Sequence, residues 1–210
     1  MNISIKKSLL IIAGFSFILL VSLNVAFIKK KIKEYKVNRK RNYYYYVGEF
    51  APDFEIETIN GKKFKLSDYI GKKVIVLNFF TLWCEPCKKE AKELQYFVDK
   101  MKNRDVKFIA INVGDKFKAV KLFMNEKKIS FSVALDRYGK IADKYRIGAY
   151  PTTVVIDLEG VIRLYERGMI TNADVVLIPT VKGCLLMKDA IEKDVLEKYR
   201  KDVKDKLPKY

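Results

Sequence analysis

The 210-residue sequence contains no histidine. That absence excludes imidazole acid–base chemistry, a Cys–His nucleophile pair and zinc sites built from mixed cysteine and histidine. Cysteine is scarce too, at three residues. A four-ligand metal site would need carboxylates to complete it, and neither a metal nor any other cofactor is expected. Lys88 follows Cys87, which removes the C-x-x-C-H pattern of haem attachment. Acidic residues are few beside basic ones, 25 against 42, for a net charge of +17. Disorder is excluded by composition, because half the residues are hydrophobic and supply a core.

The basic excess is uneven. Ten lysines and arginines fall within residues 1–46, where Glu34 is the only acid. They flank an apolar run, whereas the remaining lysines are scattered among acids. This distribution fits an anionic lipid surface and gives no reason to expect a nucleic-acid partner.

Residues 8–28 carry no charge and are long enough, at about 21 residues, to cross a bilayer as a helix. Lys6 and Lys7 precede the run, it exceeds a signal peptide's apolar region, and no small-x-small cleavage site follows it. Residues 1–28 therefore read as an uncleaved signal-anchor with the lipid bilayer as partner. Eight basic residues follow the run and two precede it. Taken alone, the positive-inside rule would put the following domain in the cytoplasm. Residues 29–46 form a basic tether ending in Tyr43-Tyr44-Tyr45-Tyr46.

Residues 47–168 read as one α/β domain. Ala51-Pro52-Asp53-Phe54-Glu55-Ile56 alternates like a strand, and Asn60-Gly61 is a hairpin turn. The near-continuous apolar run at 74–80 predicts a central strand covered on both faces. Beyond it Ala91, Leu94, Phe97, Val98 and Met101 recur at helical spacing. Strands follow at 106–113, 131–135, 150–157 and 161–167, with helices at 116–128 and 139–145 between them. The β-α-β order predicts a parallel core with right-handed crossovers, and the last two strands add antiparallel partners. Residues 169–210 form a C-terminal extension. Its first part, with Ile178-Pro179-Thr180, shows no regular pattern. Residues 185–206 predict an amphipathic helix with a stripe of Ile191, Val195, Tyr199 and Val203. Cys184 reads as a small buried hydrophobe.

The chemistry concentrates in Trp83-Cys84-Glu85-Pro86-Cys87-Lys88-Lys89-Glu90, where a strand hands over to a helix. Two cysteines three apart at a helix start suit a redox pair. Their sulfurs can bond, and the helix N-terminus stabilises a thiolate. Cys84 is the expected exposed nucleophile and Cys87 the resolving thiol one turn inward. Pro86 sits where a first helical turn tolerates proline. Lys88 favours a thiolate, whereas Glu85 and Glu90 disfavour it and bias the pair towards reduction.

With Trp83-Cys84-Glu85-Pro86-Cys87 after one apolar strand and Tyr150-Pro151-Thr152-Thr153 before another, the domain resembles the thioredoxin superfamily. Its Ala51-Pro52-Asp53-Phe54 opening and N-terminal anchor bring it nearer to the membrane-anchored ResA/TlpA group of thiol–disulfide oxidoreductases. The resemblance implies a thioredoxin-like fold: a central mixed sheet flanked by helices, with an N-terminal β-hairpin extension. It also implies a cis Tyr150–Pro151 bond beside the disulfide, with the backbone of Tyr150 offered to an extended substrate. Trp83 would shield the disulfide. Thioredoxins place a buried acid where this chain has Asn78, so proton handling passes to Glu90, as in the resembled group. The implied partners are a disulfide-containing protein substrate, with apocytochrome c as the suggested case, and a membrane electron donor of the thiol-relay type. The implied location is the outer face of the cytoplasmic membrane, opposite to the charge rule. Two other readings use the same residues. Thr81-Leu82-Trp83-Cys84 supplies the T-x-x-C of peroxiredoxins, although Leu77 stands where a proline is expected. A metal carrier on the same fold is disfavoured by the lack of histidine.

Overall fold

The computed structural model of the chain describes residues 47–186, 198, 199 and 201. The expected span at 8–28 and tether at 29–46 lie outside them. Among the described residues no helix is long and apolar enough to cross a membrane. The elements in chain order are β1 (Glu55–Glu57), β2 (Lys63–Lys65), a 3₁₀ turn (Leu66–Asp68), β3 (Val74–Phe80), α1 (Glu85–Met101), β4 (Val106–Val113) and α2 (Phe117–Glu126). They continue with β5 (Val133–Asp136), α3 (Lys140–Lys144), β6 (Thr152–Ile156), β7 (Ile162–Arg167) and α4 (Leu177–Leu186).

Every residue of β3 is buried, as an apolar run without alternation requires. It lies at the centre of a five-stranded sheet of order β5-β4-β3-β6-β7. β3 pairs parallel with β4 and antiparallel with β6, so the sheet is mixed. Side chains alternate between faces along a strand. Val74, Val76 and Phe80 accordingly join one core with Leu94 and Phe97 of α1, Val120 and Phe123 of α2, and Leu177 and Val181 of α4. Ile75, Leu77 and Phe79 join a second core on the other face with Phe54, Phe64, Ile141 and Tyr145. By the same alternation, Asn78 points to the face that carries α1. This is the expected thioredoxin-like arrangement, including the β1–β2 hairpin packed as a separate two-stranded sheet.

Two expectations need correction. Residues 51–54 are not strand. Their backbone is held instead by side chains and a neighbouring loop: Ala51 N–H donates to the Gly160 carbonyl at 2.8 Å. The Tyr199 and Tyr145 hydroxyls donate to the carbonyls of Ala51 and Pro52, each at 2.9 Å. With those groups satisfied, no strand partner is needed. The second correction concerns the C-terminal region, where a regular helix, α4, starts at Leu177 and includes Pro179. Proline in a first turn removes an N–H that has no intrahelical acceptor, so it is tolerated there. The stripe residues Ile191, Val195 and Val203 lie outside the described residues. Tyr199 is buried in the core opposite α4, so the extension supplies both faces of the sheet.

Candidate active site

α1 begins where β3 ends, and its first turn is built on the cysteine pair. Cys84 is the N-cap residue, and its Sγ accepts the Cys87 N–H at 3.2 Å. A sulfur at that position receives one of the orphan donors of the helix start, and a thiolate there gains from the helix dipole. Cys84 and Cys87 are joined as a disulfide with Cα atoms 5.3 Å apart. Glu85 and Pro86 occupy the first two helical positions on the outside. The expected exposure of Cys84 is not observed: Cys84 is 5% and Cys87 4% accessible. Both sulfurs belong to the core face of α1, whose buried positions Cys87, Glu90, Ala91, Leu94, Phe97 and Met101 follow the helical repeat. Trp83 stands outside at 72% accessible, edge-on to Tyr150 with ring centroids 5.8 Å apart. Its ring therefore meets Tyr150 at the surface and is not packed in the core.

The charges divide between outside and inside. Outside, Lys88 Nζ meets Glu85 Oε1 at 2.6 Å. That hydrogen bond and the lysine's charge hold the Glu85 carboxyl below the usual range. The two side chains offset one another, so neither acts freely on the sulfurs. Inside, Glu90 lies three residues beyond Cys87 on the same helical face, 1% accessible. Its Oε2 accepts from Asn78 Nδ2 at 3.0 Å and its Oε1 from the Ile170 N–H at 2.8 Å. Asn78 Nδ2 also donates to Thr153 Oγ1 at 3.0 Å. Burial pushes the Glu90 carboxyl up to about 7, against the opposing pull of these donors. Its proton equilibrium thus falls at neutral pH, the range suited to general acid–base work.

β6 enters the site through a cis Tyr150–Pro151 bond. Thr152 Oγ1 ties the preceding loop by donating to the Ala149 carbonyl at 2.8 Å, and the Pro151 carbonyl accepts the Gly168 N–H at 2.8 Å. Beside Cys87, a void of about 10 Å³ is also lined by Asn78, Phe80, Ala91, Phe123 and Phe131. It has room for about one water molecule.

Some parts of the site carry no side-chain signature in the sequence. The partner of Glu90 from residue 170 is a backbone N–H. One turn further along α1, Glu93 Oε1 accepts the Ala173 N–H at 2.6 Å, and Tyr96 donates to Asp174 Oδ2 at 2.8 Å. Glu90, Glu93 and Tyr96 thus stitch α1 to the segment before α4. The one signal was spacing, since three polar-capable residues at intervals of three share a helix face. Thr81, just ahead of the pair, is buried with no partner for its hydroxyl among the described residues.

The fold and the redox pair define a thioredoxin-type oxidoreductase scaffold, and comparison with known proteins narrows it. The model of the AhpC/TSA family matches residues 47–165. Thiol-disulfide oxidoreductase ResA of Bacillus subtilis is 39% identical over 126 residues, which are 60% of this chain and 70% of that protein. The ResA of Geobacillus kaustophilus is 34% identical over 129 residues, 61% of this chain and 74% of its own. Among solved structures, a thioredoxin-family thiol:disulfide interchange protein from Chlorobium tepidum is similar at TM-score 0.59 and 27% identity, covering 66% of this chain and 97% of that one. StoA from Bacillus subtilis is similar at TM-score 0.53 and 27% identity, covering 60% and 94%. The chain belongs to the AhpC/TSA family and, within the thioredoxin superfamily, to the ResA-like thiol–disulfide oxidoreductases.

Proposed function

We propose that this protein reduces disulfides in other proteins by dithiol exchange. The observation that carries the reading is the buried Glu90 one turn below Cys87, beside a cysteine pair that closes the first turn of α1. Starting from the dithiol, the Cys84 thiolate attacks a substrate disulfide. A Cys84–substrate bond forms and one substrate sulfur leaves as a thiolate. Glu90 takes the proton of the Cys87 thiol, and the Cys87 sulfur attacks Cys84 Sγ, expelling the second substrate thiolate. Two electrons reach the substrate, its two thiolates take up the proton held on Glu90 and one from solvent, and the Cys84–Cys87 disulfide remains. A membrane electron donor of the thiol-relay type then returns the dithiol. Glu90 disfavours extra negative charge beside the sulfurs, which stabilises the disulfide relative to the thiolate and makes the couple reducing. Trp83, Tyr150 and Pro151 form the edge on which an extended substrate docks, with Glu85 and Pro86 at its outer rim.

The site works at the outer face of the cytoplasmic membrane, tethered through residues 1–46; the resemblance suggests apocytochrome c as substrate, and a spore-envelope or general secreted-protein substrate fits the same residues equally. Two assays test this. The reduced chain should reduce a protein disulfide stoichiometrically, and Cys84→Ser should not. Labelling an engineered surface cysteine in intact cells with an impermeant reagent tests the side, since protection would place the site inside. A second reading, peroxide reduction at Cys84, is favoured by the Thr81 hydroxyl, which has no partner among the described residues. Fast peroxide turnover that survives Cys87→Ser would select it.

A further inference from the structure

The turn at 81–84 delivers Cys84 to the start of α1, and it has little to hold itself. Its internal backbone bond, Cys84 N–H to the Thr81 carbonyl, is long at 3.4 Å. Trp83 projects into solvent and the Thr81 hydroxyl has no partner among the described residues. The firmer anchor comes from the neighbouring strand. Asn112, fully buried, stands beside Phe80 in the β3–β4 register. Its Nδ2 donates to Asp115 Oδ2 at 2.8 Å, and its Oδ1 accepts the Asp115 N–H at 3.3 Å. This closed pair fixes the carboxylate after β4. The same Oδ2 then accepts the Leu82 N–H at 2.7 Å, two residues before Cys84. A short charge-assisted bond of this kind outlasts an ordinary loop contact.

We propose that Asp115, aimed by Asn112, is a positioning residue that locks the turn at 81–84 and so sets Cys84 Sγ over the Cys87 N–H. The proposal rests on the reading of Cys84 as the attacking sulfur. Removing the carboxylate frees the turn, misaligns the sulfur from the helix N-terminus and weakens thiolate stabilisation. It also removes a negative charge, and the two effects are separated by comparing Asp115→Ala with Asp115→Asn. The asparagine oxygen can still accept from both Leu82 and Asn112.

The test measures alkylation of Cys84 by iodoacetamide in the reduced full chain as a function of pH, with the site of modification read by mass spectrometry. Asp115→Ala should react about tenfold more slowly than Asp115→Asn at neutral pH, with its rate–pH midpoint moved up. Equal rates and midpoints in the two variants would overturn the proposal. Hydrogen exchange at the Leu82 amide of the unmodified protein needs no variant: protection supports the clamp, and the exchange rate of a free loop amide refutes it. If the chain fails to reduce protein disulfides while alkylation still separates the two variants, the clamp stands and the substrate reading falls.

Discussion

Replacing Glu90 with glutamine removes a buried titration and should change how stability depends on pH. The folded-state value of about 7 stands against 4.5 for an ordinary glutamate. Between those values the folded protein holds a proton that the unfolded chain releases, so stability falls as pH rises. The contribution is full below about pH 4.5, is lost as pH passes through about 7 and is flat above. At about 1.36 kcal/mol per pKa unit, the loss is roughly 3 kcal/mol. Glu90→Gln should abolish this component. Its carboxamide oxygen can keep the Ile170 N–H. Asn78 can turn its own oxygen to the new amide, with Thr153 switching to donor. Urea unfolding of the oxidised proteins at about pH 5 and about pH 8 measures it. The difference between the wild type and Glu90→Gln should grow by roughly 2.5 kcal/mol in favour of the variant over that interval, part of the loss having already occurred at about pH 5. Taking the difference cancels other shifting groups, such as Glu166, whose carboxyl is also raised by burial. In exchange assays near neutral pH the same variant should resolve mixed disulfides roughly a hundredfold more slowly, the scale of a lost general base. A variant whose stability keeps the wild-type pH slope would refute the placement of the Glu90 proton.

Three further outcomes follow from the packing. At Gly160, φ is +83° and an added Cβ would lie 2.4 Å from Tyr199 Cδ2; Gly160→Ala should cost about 2 kcal/mol or more in urea unfolding. Thr81→Val removes a buried hydroxyl that has no partner among the described residues, so the oxidised protein should be unchanged or about 1 kcal/mol more stable by the same measurement. Burial pushes the Cys184 thiol up to about 11, so it should resist alkylation near neutral pH, and Cys184→Ala should leave the rate of exchange at wild-type level.

The most legible parts of the fold were those where local chemistry and tertiary context agree. The apolar run of β3 could be stable only at the centre of a sheet, and the helical repeat from Cys87 to Met101 placed Glu90 on the same face as Cys87. Asn78 was marked by the resemblance alone, as the position where thioredoxins carry a buried acid. What stayed hidden depends on contacts distant in sequence. Residues 51–54 alternate like a strand, but tyrosines 145 and 199 take up their carbonyls. Cys84 heads a helix and so looked exposed, yet the face it belongs to packs on the sheet. The Ile170 N–H that holds Glu90 has no side-chain signature, and Asp115 reaches Leu82 across a strand pairing that no local pattern encodes. Pro179 made residues 169–183 look irregular, although it stands in the first turn of α4.

The central claim is that Cys84 attacks and Cys87 resolves. Expressing Cys87→Ser in place of the native chain removes the second step and should leave the substrate attached. Mass spectrometry of the purified protein should find Cys84 Sγ in a mixed disulfide with other proteins, released by dithiothreitol and absent from Cys84→Ser. Recovery of Cys84 as a free thiol, with no linked protein, would contradict the account.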